Sequence, residues 1–188
     1  MPTNLVLLTQ GTPIVWADET DYAGGSQIGG TRTHDLDLTN LLFSAARQGI
    51  IADLGASRSL EYSISLAVEF KTAEAPESGE TVDLYWAPAV SLTTGFQGGT
   101  DGTDAVYTGT AGDSLADSLK QLMYLGSIVL TADAVGVAQR DTWIFSPPTR
   151  FGQPVIVNST DAEDLNDVDA QEMYVRMVGL DPDVQAAA

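Results

Sequence analysis

Nearly all the residues able to do chemistry in this chain are carboxylates. Of 188 residues, 26 are Asp or Glu, 8 are Lys or Arg, one is histidine and none is cysteine. The lack of cysteine removes disulfides, thiol nucleophiles and Cys-ligated zinc or iron–sulfur sites. A Ser-His-Asp relay would have to run through His34, the lone imidazole. No Gly-x-Ser-x-Gly elbow accompanies it, and it sits between a Gly-rich segment and a strand-like run, so a structural role is expected. Glycines 24, 25, 29 and 30 have the wrong spacing for a dinucleotide fingerprint, and no Lys follows them as in a phosphate loop.

Two acidic clusters offer hard oxygen ligands of the kind calcium takes. One is Asp101-Gly-Thr-Asp104; the other runs Asp161-Ala-Glu163-Asp164-Leu-Asn166-Asp167-Val-Asp169. Neither has the glycine and terminal glutamate of an EF-hand loop. Asp101, Asp104, Asp161, Glu163 and Asp164 are therefore the cation candidates, set against the commoner reading as acidic surface loops. No metal, cofactor or catalytic residue is expected. A pair of carboxylates for glycoside hydrolysis needs a defined separation, which the sequence does not carry. Trp16, Trp86 and Trp143 have faces able to stack on sugars, but Trp86 and Trp143 fall inside strand patterns and are expected in a core.

A formal charge of −18 repels phosphate backbones, and the few basic residues are scattered, so neither nucleic acid nor an anionic membrane is expected as a partner. A basic protein surface or a divalent cation is favoured instead, although acidity also simply keeps an abundant protein soluble. No apolar run approaches the ~20 residues of a membrane helix. The start, Met-Pro-Thr-Asn, lacks a basic region followed by an apolar one, so cytoplasmic synthesis without a signal peptide is expected.

The elements that must position these residues read as strands. Residues 60–70, Leu-Glu-Tyr-Ser-Ile-Ser-Leu-Ala-Val-Glu-Phe, are apolar at every even position, the period of a half-buried strand. After a polar Pro/Gly segment, Val82-Asp-Leu-Tyr-Trp86 alternates again and stops at Pro88; the two runs predict neighbouring antiparallel strands at the centre of one sheet. Residues 4–8 and 13–17 are short strand-like pieces, and 34–39, 50–54, 124–131, 142–146, 154–158 and 172–178 supply further strand patterns. Residues 40–48 fit a short helix or an irregular connection equally well. Residues 91–112, rich in Gly, Thr and Asp, predict a long surface loop. A short helix follows, with Ser114 and Asp117 as a capping box and Leu115, Leu119, Leu122 and Met123 as its apolar stripe. About eight strands, one short helix and Gly/Pro-rich turns predict an all-β sandwich of jelly-roll type. The expected division is an N-terminal arm or outer strands over 1–34, a sandwich over 35–180 and a tail over 181–188. The arm, if it is one, pairs with another subunit.

Several motifs carry a resemblance. Ala45-Ala-Arg47-Gln48, Asp53-Leu-Gly-Ala-Ser-Arg58, Val68-Glu-Phe70 and Val82-Asp-Leu-Tyr-Trp-Ala-Pro88 occur in that order. Ala105-Val-Tyr-Thr-Gly109, Ser118-Leu-Lys-Gln-Leu122, Leu125-Gly-Ser-Ile128 and Phe145-Ser-Pro-Pro-Thr-Arg-Phe-Gly-Gln-Pro-Val155 follow. Over residues 40–178 the chain resembles small virion structural proteins of tailed bacteriophages. The resemblance implies a non-enzymatic part of the virion, first of all a head decoration (cement) protein on the outer capsid surface. It implies the major capsid protein and copies of the chain itself as partners. A tail, neck or fibre-associated structural protein and a carbohydrate-binding module on the virion remain alternatives. The family supplies no catalytic residues to carry over.

Overall fold

The computed structural model describes residues 5–20, 22, 29–71, 75–132, 137–166 and 173–185. In chain order these form β1 (Leu5–Gln10), β2 (Ile14–Ala17), β3 (His34–Asp35), β4 (Ala46–Gln48), β5 (Ala52–Asp53), β6 (Glu61–Val68), β7 (Thr81–Ala89) and β8 (Ala105–Val106). Then come α1 (Leu115–Leu119), β9 (Met123–Val129), β10 (Gln139–Phe145), β11 (Phe151–Ser159) and β12 (Tyr174–Gln185). The first sheet has the order β10-β6-β12-β2-β3, with β1 also pairing β12; the second has β8-β4-β11-β7-β9, with β5 on β11. The expected all-β sandwich with one short helix is present.

The alternating runs at 60–70 and 82–86 are indeed β6 and β7, but they are not neighbours. β6 lies between β10 and β12, and β7 lies between β11 and β9 in the other sheet. Both runs put apolar residues inward, so the alternation is satisfied equally by strands that pair and by strands that face each other across a core. The connection, about a dozen residues with Pro76 and Gly79, is long enough to cross between layers. Ile64, Leu66 and Val68 of β6 and Val82, Leu84 and Trp86 of β7 meet in one buried cluster with Trp16, Ile156, Val175 and Met177. Trp16 packs edge-on to Trp86 at 6.0 Å, and Trp86 lies 5.5 Å from Phe145.

β7 does not stop at Pro88. Its partner β9 ends its pairing at Trp86, so the N–H that Pro88 lacks is not needed on that side. Pro154 is likewise tolerated inside β11, because it falls between the β4 pairing at 155–157 and the β5 pairing at 151–152. Gly152 leaves room for Trp86, whose indole would lie 2.5 Å from any Cβ placed there.

Residues 40–48 contain no helix; Asn40 and Ser44 take positive φ angles of 58° and 56° and the chain then enters β4. The strand expected over 34–39 shrinks to His34–Asp35, pairing β2 in parallel. The stretch 91–112 is an irregular, mostly exposed loop apart from β8, but it is anchored. It folds back over the outer face of the second sheet, where Tyr107 and Leu122 are buried with Ala46, Ala87, Val155 and Val157, and Leu115 and Leu119 of α1 pack beside them. The N-cap half of the capping box forms: Ser114 Oγ accepts from the Asp117 N–H at 3.1 Å, while Asp117 Oδ2 takes the Ser114 hydroxyl at 2.7 Å in place of its backbone N–H. α1 is one turn shorter than its stripe suggests, because Met123 begins β9 and is partly exposed.

The expected boundaries at 34 and 181 fall within paired structure. β2 belongs to the body: Val15, Trp16 and Ala17 are buried and pair with β12. Among the described residues, β1 and the second half of β12, residues 181–185, run together past the end of β6. Residues 23–28 of the Gly-rich stretch lie outside the described residues, as do 186–188.

Candidate functional site

The two acids of the Asp101–Asp104 loop are held by two adjacent residues of β4. Arg47 Nε donates to Asp104 Oδ1 at 2.7 Å, and Gln48 Nε2 donates to Asp101 Oδ1. Neighbouring residues of a strand point to opposite sides, so Arg47 takes the open side and Gln48 the side under the 91–122 excursion. Gln48 is buried, and its Oε1 accepts from the buried Gln153 of β11 at 3.3 Å. Asp101 also accepts from the Thr103 N–H at 3.0 Å and hydroxyl at 2.7 Å. Burial pushes the Asp101 carboxyl up, but these donors outweigh it and hold the group below the usual carboxylate value.

Asp104 opens onto a concavity of about 560 Å³ with Asp18, Glu19, Asp35 and Asp37 around it, together with Thr20 and Thr103. Arg47 also lies 3.7 Å from Asp37, whose backbone N–H donates to Asp104 Oδ2 at 3.1 Å. Arg32 pairs with Asp35 and lies 3.8 Å from Glu19. Asp18 Oδ1 accepts from both the N–H and the hydroxyl of Thr20 at 2.7 Å. Two arginines thus tie three separate segments (18–20, 35–37 and 101–104) into one ion-pair network at the end of the sandwich.

The second acidic cluster is spent differently. Asp164 accepts from Lys71 Nζ at 3.0 Å and from the Phe43 N–H at 2.9 Å. Asp161 is exposed and its N–H donates to Glu80 at 2.8 Å. Burial, with Glu80 adding to it, raises the Glu163 carboxyl above its ordinary value. Asp167 and Asp169 lie outside the described residues. Among the described residues no three His, Cys, Asp or Glu side chains gather as a cation site. The calcium candidates are therefore distributed over two places, with Asp104 and Asp164 ion-paired to Arg47 and Lys71.

The His34 ring packs tilted against Trp16, 5.3 Å between centroids, with its Nδ1 2.9 Å from the Thr33 hydroxyl. Burial lowers its pKa, which favours the neutral ring. Trp16 and Trp86 are fully buried and present no face to a ligand. Trp143 is partly buried, with its indole over Gly126 where β10 meets β9. Asp53 takes a bidentate pair from Arg150, Nε to Oδ1 at 2.5 Å and Nη2 to Oδ2 at 2.6 Å, and this fork lowers its pKa. Arg47, Gln48, Asp53 and Arg150 are accordingly bracing residues that join distant segments.

The sequence reading missed Asp18, Asp37 and Arg32. Asp18 and Asp37 sit just past the ends of short strands, and their meeting depends on the parallel β2–β3 contact, which has no signature in a single chain. The surface also carries exposed apolar residues. Leu42 and Val106 border a groove of about 270 Å³ beside β4, and Val129 and Ile144 stand on the outer strands β9 and β10. Compared with known proteins, the chain matches no family model and no curated protein.

Proposed function

We propose that this chain is a non-enzymatic structural protein of a tailed-bacteriophage virion, seated on the outside of the capsid shell as a decoration protein. The strand order is the structural observation that supports the reading. Leaving aside β1 and the two-residue strands β3, β5 and β8, one sheet runs β2-β12-β6-β10 and the other β4-β11-β7-β9. Successive strands of this set cross between the layers, except β7 and β9, which pair within one, as in two interlocked Greek keys; this supports a jelly roll, an architecture used by viral capsid domains and also by lectins and cupins. Fold alone does not choose among those uses. The motif resemblance over 40–178 favours the virion. The net charge of −18 suits a surface turned away from packaged DNA. The lectin use loses support from the burial of Trp16 and Trp86. Contacts with the major capsid protein would come from the exposed apolar positions beside β4 and along β9 and β10.

The test is reconstitution. Purified full-length chain added to shells lacking it should co-sediment to saturation at a simple ratio to the capsid protein and raise the temperature at which shells rupture. Binding to tails but not shells, or glycan binding without shell binding, overturns the decoration reading.

A further inference from the structure

At one margin the first sheet is outrun by two of its strands. β1 and β2 lie one after the other along the same side of β12, with residues 11–13 opposite 178 and 179 as a one-residue bulge. β6 accompanies β12 only to Leu180, opposite Glu61, whereas β1 accompanies it to Gln185. Beyond Leu180 the two strands form a ribbon with no third strand among the described residues. Two-stranded ribbons are marginal in water, and each of their edges carries unpaired N–H and C=O groups.

The two edges are unlike. Leu8 stands opposite Pro182, and proline has no N–H, so this pair exchanges no backbone bonds. The Gly11 N–H, donating to Gly179 O at 2.9 Å, fixes the same phase. Odd residues of β1 therefore bond to β12, and the backbone groups of Val6, Leu8 and Gln10 point to the open edge. On the opposite edge Pro182 removes a donor and Asp181 and Asp183 flank it, which are devices that discourage strand addition. β1 has none of them: Leu5-Val-Leu-Leu-Thr-Gln contains no proline, glycine or charge, in a chain of net charge −18.

We propose that β1 is a dimer edge, joining β1 of a second copy in antiparallel register about a twofold axis through Leu8. An antiparallel pair of identical strands is self-complementary, as a twofold interface requires. The Leu8-centred register sets Val6 opposite Gln10 of the second copy and satisfies all three outward-facing residues on each strand. The marginal ribbon becomes a four-stranded sheet continuous through both molecules. An uncharged strand is also where two strongly acidic chains approach without setting carboxylates face to face. The proposal is independent of the virion reading, and either one survives the failure of the other.

The full chain contains no cysteine, so a single thiol reports the register. In Leu8→Cys the two thiols belong to directly opposed residues, with Cα atoms about 5.5 Å apart and within disulfide reach. In Gln10→Cys the copies lie about 13 Å apart along the strands and out of reach. Oxidation is expected to give covalent dimer from the first variant and not from the second. Leu8→Pro removes an outward donor and leaves the β1–β12 bonds; it should weaken dimerisation about tenfold or more with the Asp183 amide still protected from exchange. A wild-type chain that sediments as a monomer at millimolar concentration overturns the proposal, as does equal cross-linking of the two thiols. Should Leu8→Pro also expose the Asp183 amide, the ribbon itself has opened and the cross-linking comparison alone decides.

Discussion

Arg47 and Gln48 leave the same short strand in opposite directions and seize the two acids of one loop. Their exposures explain why the pair matters: the side chains of Arg47 and Asp104 are only 20% and 15% exposed. Arg47→Ala leaves Asp104 and Asp37 facing each other without their shared cation, and it should lower unfolding stability by about 2 kcal/mol in urea titration. Glu163 makes the opposite case. Its folded pKa is raised, so the folded state holds its proton more tightly than the unfolded state, and stability falls as pH rises through the interval between the two values. Glu163→Gln should therefore raise the melting temperature at pH 7, and the gain should vanish on acidification below the unfolded value of 4.5. Asp53 and Asp101 act in the other sense. Their folded pKa values are depressed below 3.8, so the stability they contribute is present above that value and is lost as pH falls through the folded values. A pH melting series on Glu163→Gln and Asp53→Asn separates the two signs.

Among the elements, β6, β7, β9, β10, β11 and β12 and the helix cap are legible in the sequence because each has a local cause. Alternation in β6 and β7 and the Ser114–Asp117 spacing are visible within a few residues. Ser114→Ala should lower stability by about 1 kcal/mol and loosen α1 over Tyr107 and Leu122, read by faster amide exchange in residues 115–119. What could not be read is which strands become neighbours. A half-buried face specifies burial against something, and the same pattern serves a strand paired beside its successor or one facing it across the core. The short strands β4 and β8 are set by tertiary contacts, with too few residues for a period, and β3 and β5 keep only two residues each of the patterns at 34–39 and 50–54. The acidic network is hidden for the same reason, since Arg47 and Asp104 lie 57 positions apart and meet only when the chain has folded. Gly152 shows the closing packing most sharply: Gly152→Val drives a branched side chain into Trp86 and should cost about 1–3 kcal/mol in thermal unfolding.

At the scale of the molecule, charge and surface act together. A chain of −18 opposes its own association everywhere except along uncharged edges, so self-association through β1 should tighten as salt screens the remaining repulsion. Sedimentation at low and at high ionic strength reads this directly, with the dimer favoured at high salt. The opposite trend would point to an interface built from ion pairs. On the proposed decoration reading, the exposed apolar residues by β4, β9 and β10 are the places for contact with a shell. The most direct measurement on that claim is quantitative mass spectrometry of purified virions, comparing this chain with the major capsid protein. The decoration reading predicts a copy number equal to, or a simple fraction of, that of the capsid protein. A trace amount, at the level of tail components, or absence from the particle would contradict it.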